Sequence, residues 1–237
     1  MLFYYGYPFM FDPTYLLVIA GAVICLIASA KMKSTYAKYQ RVRSLSGLTG
    51  AQAAERVLRN AGIYDVSIQR VSGNLTDHYD PRTKTLRLSD AVYNDTSVAA
   101  IGVAAHECGH AIQHNISYAP LKLRSVLVPV ANIGANLAWP MIILGVIIGW
   151  MQPLITLGII MFSLAVVFQL VTLPVEFDAS RRAVKVLGET GILYGDEISH
   201  TKKVLTAAAL TYVAGAASSI LQLLRLILLF GNRNRDN

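Results

Sequence analysis

The chain has 237 residues, 54% of them hydrophobic, with a mean hydropathy of +0.46 and a formal net charge of +7. So apolar a composition excludes an ordinary soluble domain, and the length leaves room for one small domain beside membrane helices. Nor does the positive charge indicate nucleic acid, because most of the 21 Lys and Arg lie between Lys31 and Arg124, directly after the first apolar block, where positive-inside bias puts them.

The aromatic leader "MLFYYGYPFMFDP" holds no Lys or Arg, so it reads as an interfacial belt ahead of an uncleaved anchor, with the N-terminus outside, and not as a secretory signal. Apolar blocks follow at residues 14–30, 126–151, 153–173 and 204–230, each close to the length that crosses about 30 Å of hydrocarbon. After the first comes the basic stretch "KMKSTYAKYQRVRSLSGLTG", a helix or linker at an anionic lipid surface, or a solvated charge run. Thr49 and Gln52 have capping-box spacing and open an amphipathic helix to about Ala61, ending at Gly62.

The period then changes. "DVSIQRVSGNLTDHYDPRTKTLRLSD" alternates around Gly73-Asn74 and Asp80-Pro81 turn signals and predicts a small antiparallel sheet, with Lys84 to Leu88 as an edge strand. Asp95, Thr96 or Ser97 caps a helix running to about His114. The second and third apolar blocks, separated by "WMQPL", form a hairpin whose flanks, Lys122 and Arg124 before and Arg181, Arg182 and Lys185 after, return to the cytosol. The hairpin thereby brings residue 176 beside the helix that ends near His114. The last block has basic residues at both ends and Arg225 inside, which leaves its topology open. Cys25 and Cys108 form no CxxC pair or disulfide framework, and Cys108 reads as a small buried filler.

The chemistry-bearing motif is His106-Glu107-x-x-His110 in "AAHECGHAIQHN". Residues four apart share a helix face, so the two imidazoles can reach one ion, with Glu107 beside it where a water would sit. Zinc lowers the pKa of that water, and a carboxylate takes its proton as hydroxide attacks a carbonyl. A third ligand is required. His114 continues the spacing but lies about 12 Å along the axis from His106, too far for one ion, so it is an outer or surface residue. Of the five glutamates, Glu55, Glu189 and Glu197 fall on stretches that read as exposed. Glu176 instead begins a helical stretch where the hairpin re-enters the cytosol, with Pro174 near its start, and is assigned as third ligand to one Zn2+ per chain, the fourth position open. Asp178 is placed to orient an imidazole, with Arg181 and Arg182 facing lipid or pairing with it. His78, Tyr79, His200 and Tyr212 are the groups able to donate to an oxyanion, with nothing in the sequence choosing among them.

"VAAHECGHAIQH", "LTDHYDPRTKTLRLS", "YAPLKLRSVLVPVANIG" and "LVTLPVEFDASRRAVKVL" together resemble the bacterial YugP-type neutral zinc metallopeptidases, over nearly the whole chain. More distantly, the pattern is similar to the gluzincin membrane peptidases that cleave CAAX-type or damaged membrane proteins. Their second motif, Glu-aromatic-x-Ala-Asp, matches "EFDAS" at Glu176, Phe177 and Ala179 but has Asp where this chain has Ser180, which leaves Asp178 to substitute. That likeness implies an edge strand binding substrate backbone, with "KTLRL" as the element here.

The expected protein is mainly α, with three to four transmembrane helices and a small α+β cytosolic zincin-like domain. Its parts are a leader and anchor over 1–30, a basic linker and zincin-like domain over 31–124, a hairpin over 125–173, a Glu-bearing helix over 174–203, and a C-terminal apolar helix with a polar tail over 204–237. The expected function is a multi-pass membrane zinc metallopeptidase of the bacterial inner membrane, its site facing the cytosol and its partners the bilayer and a peptide or membrane-protein substrate. The alternative is a non-proteolytic membrane adaptor or assembly protein whose structural zinc needs a fourth protein ligand. A di-iron oxidase would need more than five scattered histidines.

Overall fold

The computed structural model describes residues 12–231, so the aromatic leader up to Phe11 and most of the polar tail lie outside the described residues. Its elements in chain order are α1 (Tyr15–Tyr39), α2 (Gly50–Asn60), β1 (Ser67–Val71), β2 (His78–Asp80), β3 (Thr85–Ser89), α3 (Asp90–Tyr93), α4 (Val98–Asn115), α5 (Ala119–Ile147), α6 (Gln152–Glu189) and α7 (Asp196–Phe230). Four of them, α1, α5, α6 and α7, are long and apolar enough to cross a membrane. They group into two compact units.

One unit comprises residues 12–27, 126–170 and 213–231. Small residues let its helices approach closely, the device that replaces hydrophobic burial where the solvent is itself apolar. A Cβ on Gly134 would stand 2.6 Å from Met161 O, and one on Gly158 would stand 2.8 Å from Ala138 O, so α5 and α6 run antiparallel almost in backbone contact. A Cβ on Gly21 would stand 2.6 Å from Ser218 Oγ and 3.1 Å from its Cα, and Gln169 Nε2 donates to Ser219 Oγ at 2.8 Å. Arg225, whose position left the last block ambiguous in sequence, is buried with its guanidinium 4.2 Å from the Tyr15 ring centre. Leu16, Leu26, Val126 and Ile147 point outward, as side chains solvated by hydrocarbon do.

The other unit comprises residues 28–125 and 171–212. Thr49 and Gln52 close a reciprocal capping box on α2, and its apolar stripe (Ala53, Ala54, Val57, Leu58) packs with Ile101, Ala104, Ala105 and Cys108 of α4. Among the candidate caps for α4 it is Ser97 whose side chain accepts, from Ala100 N at 3.2 Å. The sheet is mixed, not antiparallel: β3 pairs in parallel with β1 and antiparallel with β2, in the order β1-β3-β2. The expected edge strand, "KTLRL", is therefore central, and Leu86 and Leu88 are fully buried. The alternation that suggested a half-exposed strand records which face is apolar, not which edge is free. The free edge beside β3 belongs to β2.

Two further expectations need correction. No new helix starts at Pro174, because α6 runs unbroken from Gln152 to Glu189 with Pro174 inside. Proline removes the hydrogen bond to the carbonyl four residues back, that of Leu170, and the boundary between the two units falls at that residue. Glu197 is buried, not exposed: its carboxylate accepts from Leu45 N at 2.8 Å and Tyr194 N at 3.1 Å, fastening the loop before α2 to the start of α7. Within α1 the basic stretch proves helical as far as Tyr39.

Candidate metal centre

His106, Glu107 and His110 lie on α4, and Glu176 comes to them on α6. What lets the two helices meet is Gly109, between the histidines and facing Ala179. An added Cβ there would be 2.6 Å from Ala179 O and 3.0 Å from its Cα. As a result one ligand atom from each of His106, His110 and Glu176 falls within 4.8 Å of the others. Glu176 Oε2 lies 3.3 Å from His106 Nε2 and 3.6 Å from His110 Nε2. It is buried and accepts no hydrogen bond.

The far nitrogens of both rings are held. Gln113 Nε2 donates to Val175 O at 2.8 Å and to Asp178 Oδ2 at 2.9 Å, which fixes the orientation of its amide and turns Oε1 toward His110 Nδ1 at 3.1 Å. His110 must therefore carry its proton on Nδ1. In the neutral ring Nε2 is then a bare lone pair facing a carboxylate oxygen, an arrangement that is repulsive until a cation lies between them. On His106, Ser180 Oγ stands 3.1 Å from Nδ1. Burial works against a charge on His110, but the adjoining Glu176 and Glu107 carboxylates and Gln113 outweigh it and raise the ring's pKa above its ordinary value. Three donors of the types zinc takes, a buried orphan oxygen beside the Nε2 atoms of two imidazoles and a field that favours positive charge all fit a metal ion.

The remaining sequence candidates separate cleanly. Glu107 Oε2 accepts from Tyr79 N at 3.1 Å, so the outer edge of β2 faces this carboxylate. A cavity of about 200 Å3 lies over the metal-site residues, lined among others by Asp77, His106, Glu107, Glu176, Ser180 and Tyr212. Of the four proposed oxyanion donors only Tyr212 lines it. His78 bonds Thr76 O and Arg87, the Tyr79 hydroxyl bonds His114 Nδ1 at 2.9 Å, and His200 stacks on Tyr39. His114 is exposed and stands apart from the three candidate ligands. Cys108 points the other way, its thiol 3.6 Å from Ala54 O and its pKa pushed well up by burial, so it offers neither a ligand nor a nucleophile.

Asp178 does not substitute for an aspartate at position 180. It accepts from Gln113 and from Arg182 Nε, the latter at 2.6 Å, and so acts through Gln113 on His110, while Ser180 itself holds His106. Gln113 went unnoticed in the sequence although it is an uncharged polar residue three places after His110 in an apolar helix. Arg124, read there only as a topology marker, places Nη1 3.3 Å from Glu176 Oε1. Asp77 also escaped notice. It accepts from Ser89 N at 2.7 Å and Ser89 Oγ at 2.9 Å, and burial, assisted by the Glu107 charge, raises its pKa.

A chain with this centre and four apolar helices matches, over residues 14–231, the family described as "Putative neutral zinc metallopeptidase", and it belongs to that family. It is 47% identical over 221 residues to the protein named "Putative membrane protease YugP" of Bacillus subtilis (strain 168), covering 93% of this chain and 98% of that one. No solved structure matches the chain.

Proposed function

We propose that the protein is a membrane-embedded zinc endopeptidase of gluzincin type, hydrolysing peptide bonds of peptide or membrane-protein substrates at the cytosolic membrane surface. The observation that carries this reading is the Glu176 carboxylate oxygen, buried and without a donor, between the Nε2 atoms of His106 and His110. These three residues would hold one Zn2+. When bound, zinc supplies Lewis acidity that brings the pKa of a water toward neutrality. Glu107, at the cavity wall and anchored by Tyr79 N–H, takes the water proton as its oxygen adds to the scissile carbonyl carbon. It returns that proton to the amine nitrogen as the C–N bond breaks. Of the four donors read from the sequence, Tyr212 is the one in the cavity wall, and its hydroxyl donates to the developing oxyanion. An extended substrate lies along the outer edge of β2, beside Glu107, which holds the Tyr79 N–H of that edge.

Arginine124 and Gln113 keep the ligands aimed: one engages the second oxygen of Glu176, the other fixes the His110 tautomer. The cytosolic placement of this unit rests on the Lys and Arg that flank the apolar blocks. The test is zinc content per chain of detergent-purified wild type, His106→Ala, Glu176→Ala and Glu107→Gln. Loss of metal in the first two variants, with retention in the third and loss of peptidase activity, is the expected pattern. Full zinc occupancy in Glu176→Ala removes the basis of the proposal.

A further inference from the structure

A second concave site lies outside the metal cavity. The basic end of α1 and the start of α7 bound a cleft of about 580 Å3, lined by Lys31, Ser34, Thr35, Lys38 and Tyr39 from one helix and Ser199, Lys202, Lys203, Thr206, Ala207 and Leu210 from the other. The spacing explains the shape. Lys31, Ser34, Thr35 and Lys38 stand at i, i+3, i+4 and i+7, one stripe along α1, and Ser199, Lys202, Lys203 and Thr206 repeat the same intervals on α7. Two helical faces of ammonium and hydroxyl groups therefore confront one another.

No carboxylate lines this cleft, and among the described residues none of its four lysines has an acidic partner within 4.0 Å. The nearest acid in sequence on α7 with a buried charge, Glu197, is already engaged by the Leu45 and Tyr194 amides. Four positive charges with no carboxylate partner, Lys38 alone leaning over the Tyr39 ring at 5.3 Å, repel each other around one concavity, and an anion relieves that repulsion. Position narrows the choice of anion. Lys31 is the first charge after the apolar run of α1, and Lys202 and Lys203 are the last before the apolar run that begins at Val204. The cleft thus sits at the level where hydrocarbon gives way to headgroups, and Ala207 and Leu210 continue its wall into the apolar side.

We infer that this cleft is a binding site for the phosphate headgroup of an anionic membrane lipid, with the phosphate among the lysines and the first acyl carbons along Ala207 and Leu210. The hydroxyls of Thr35, Ser199 and Thr206 complete the set of phosphate donors, while that of Ser34 is already given to Lys31 O. The same helix segments turn their other faces to the metal cavity, through Met32 of α1 and Leu205, Ala208 and Tyr212 of α7. A headgroup bridging the lysines therefore ties together two walls of that cavity.

The test is a native mass spectrometric titration of the full-length protein in detergent with phosphatidylglycerol, phosphatidylcholine or inorganic phosphate. Wild type is expected to take up one phosphatidylglycerol saturably and phosphatidylcholine weakly. Each lysine near a lipid surface is worth about fivefold in affinity, so Lys202→Gln/Lys203→Gln should bind roughly 30-fold more weakly. Lys31→Gln/Lys38→Gln removes the opposite wall and should do the same, which covers the case in which the first pair fails to fold. Lys33→Gln, on α1 but outside the cleft, should bind as wild type does, and so should His106→Ala, which separates this site from the metal centre. Equal uptake of both lipids, or an equal loss in Lys33→Gln, overturns the assignment in favour of unspecific surface charge. Inorganic phosphate that matches or displaces phosphatidylglycerol at equal concentration overturns the lipid source.

Discussion

Gly109→Ala tests the geometric core of the site, because it adds one methyl group at the contact that lets α4 and α6 meet. The new Cβ would lie 2.6 Å from Ala179 O, and 3.0 to 3.4 Å is the tightest range real side chains show, so the helices must part by about 0.4 to 0.8 Å. The histidines ride on α4 and Glu176 on α6, so the whole displacement enters the distance between ligands, whereas metal sites tolerate about 0.2 Å. Zinc affinity should therefore fall by roughly 10- to 100-fold, the effect usually seen when the support of a ligand is lost. Overpacking costs about 1 to 3 kcal/mol. Alanine in place of a helical glycine recovers about 1 kcal/mol. The fold should therefore survive with a modestly lower melting temperature. Gly188→Ala is the matched control on α6, because its Cβ meets only the flexible Ile198 Cδ1, at 3.1 Å. Competition of each variant against a calibrated zinc chelator, alongside thermal unfolding, gives both quantities. If Gly109→Ala held zinc as tightly as wild type, close helix approach would not be what positions the ligands.

Gln113→Leu should lower zinc affinity by roughly 10- to 100-fold, because His110 Nδ1 loses its acceptor. It should also destabilise the fold by about 1 to 3 kcal/mol, since Val175 O and Asp178 lose a buried donor, a loss read by urea unfolding. Ser180→Ala should weaken zinc binding in the same chelator assay while leaving unfolding nearly unchanged, since only His106 Nδ1 leans on that hydroxyl. Glu107→Gln should retain metal and lose about 10²- to 10⁴-fold in peptidase turnover on any cleaved reporter peptide. Asp80 is held down to about 2 by Thr83, the Arg82 amide and Arg87, against an ordinary 3.8, so its carboxylate supports the β2–β3 turn above about pH 4 and that support is lost as pH falls toward 2. Asp80→Asn should flatten that segment of the stability profile, measured by unfolding at stepped pH.

What the residues disclosed and what they concealed follows from the range of the interactions. Helix caps, the capping box at Thr49 and the four apolar runs are local or compositional, and they stand in the structure where periodicity put them. The meeting of Glu176 with His106 and His110 was accessible for a different reason: glutamate is scarce in this chain, and a two-span hairpin returns the chain to its starting side. Pairing order in the sheet had no such signal. An alternating strand reads the same whether it is central or at the edge, so β3 was misplaced, and β2, only three residues long, was not singled out within the predicted sheet. The supports of the imidazoles were hidden for a related reason, since Gln113 to Asp178 and Ser180 to His106 are contacts between helices far apart in the chain. Ser180 shows how such a contact misleads when judged by type alone. Placed against a pattern that has aspartate there it looked like a lost carboxylate, yet its hydroxyl reaches His106, and the nearby carboxylate, Asp178, serves the other histidine through Gln113. Dividing the two rings between a neutral hydroxyl and an amide backed by a carboxylate makes their environments unequal, with His110 the better-supported donor. Metal loss should therefore be steeper for Gln113→Leu than for Ser180→Ala, a ranking that the chelator competition reads directly.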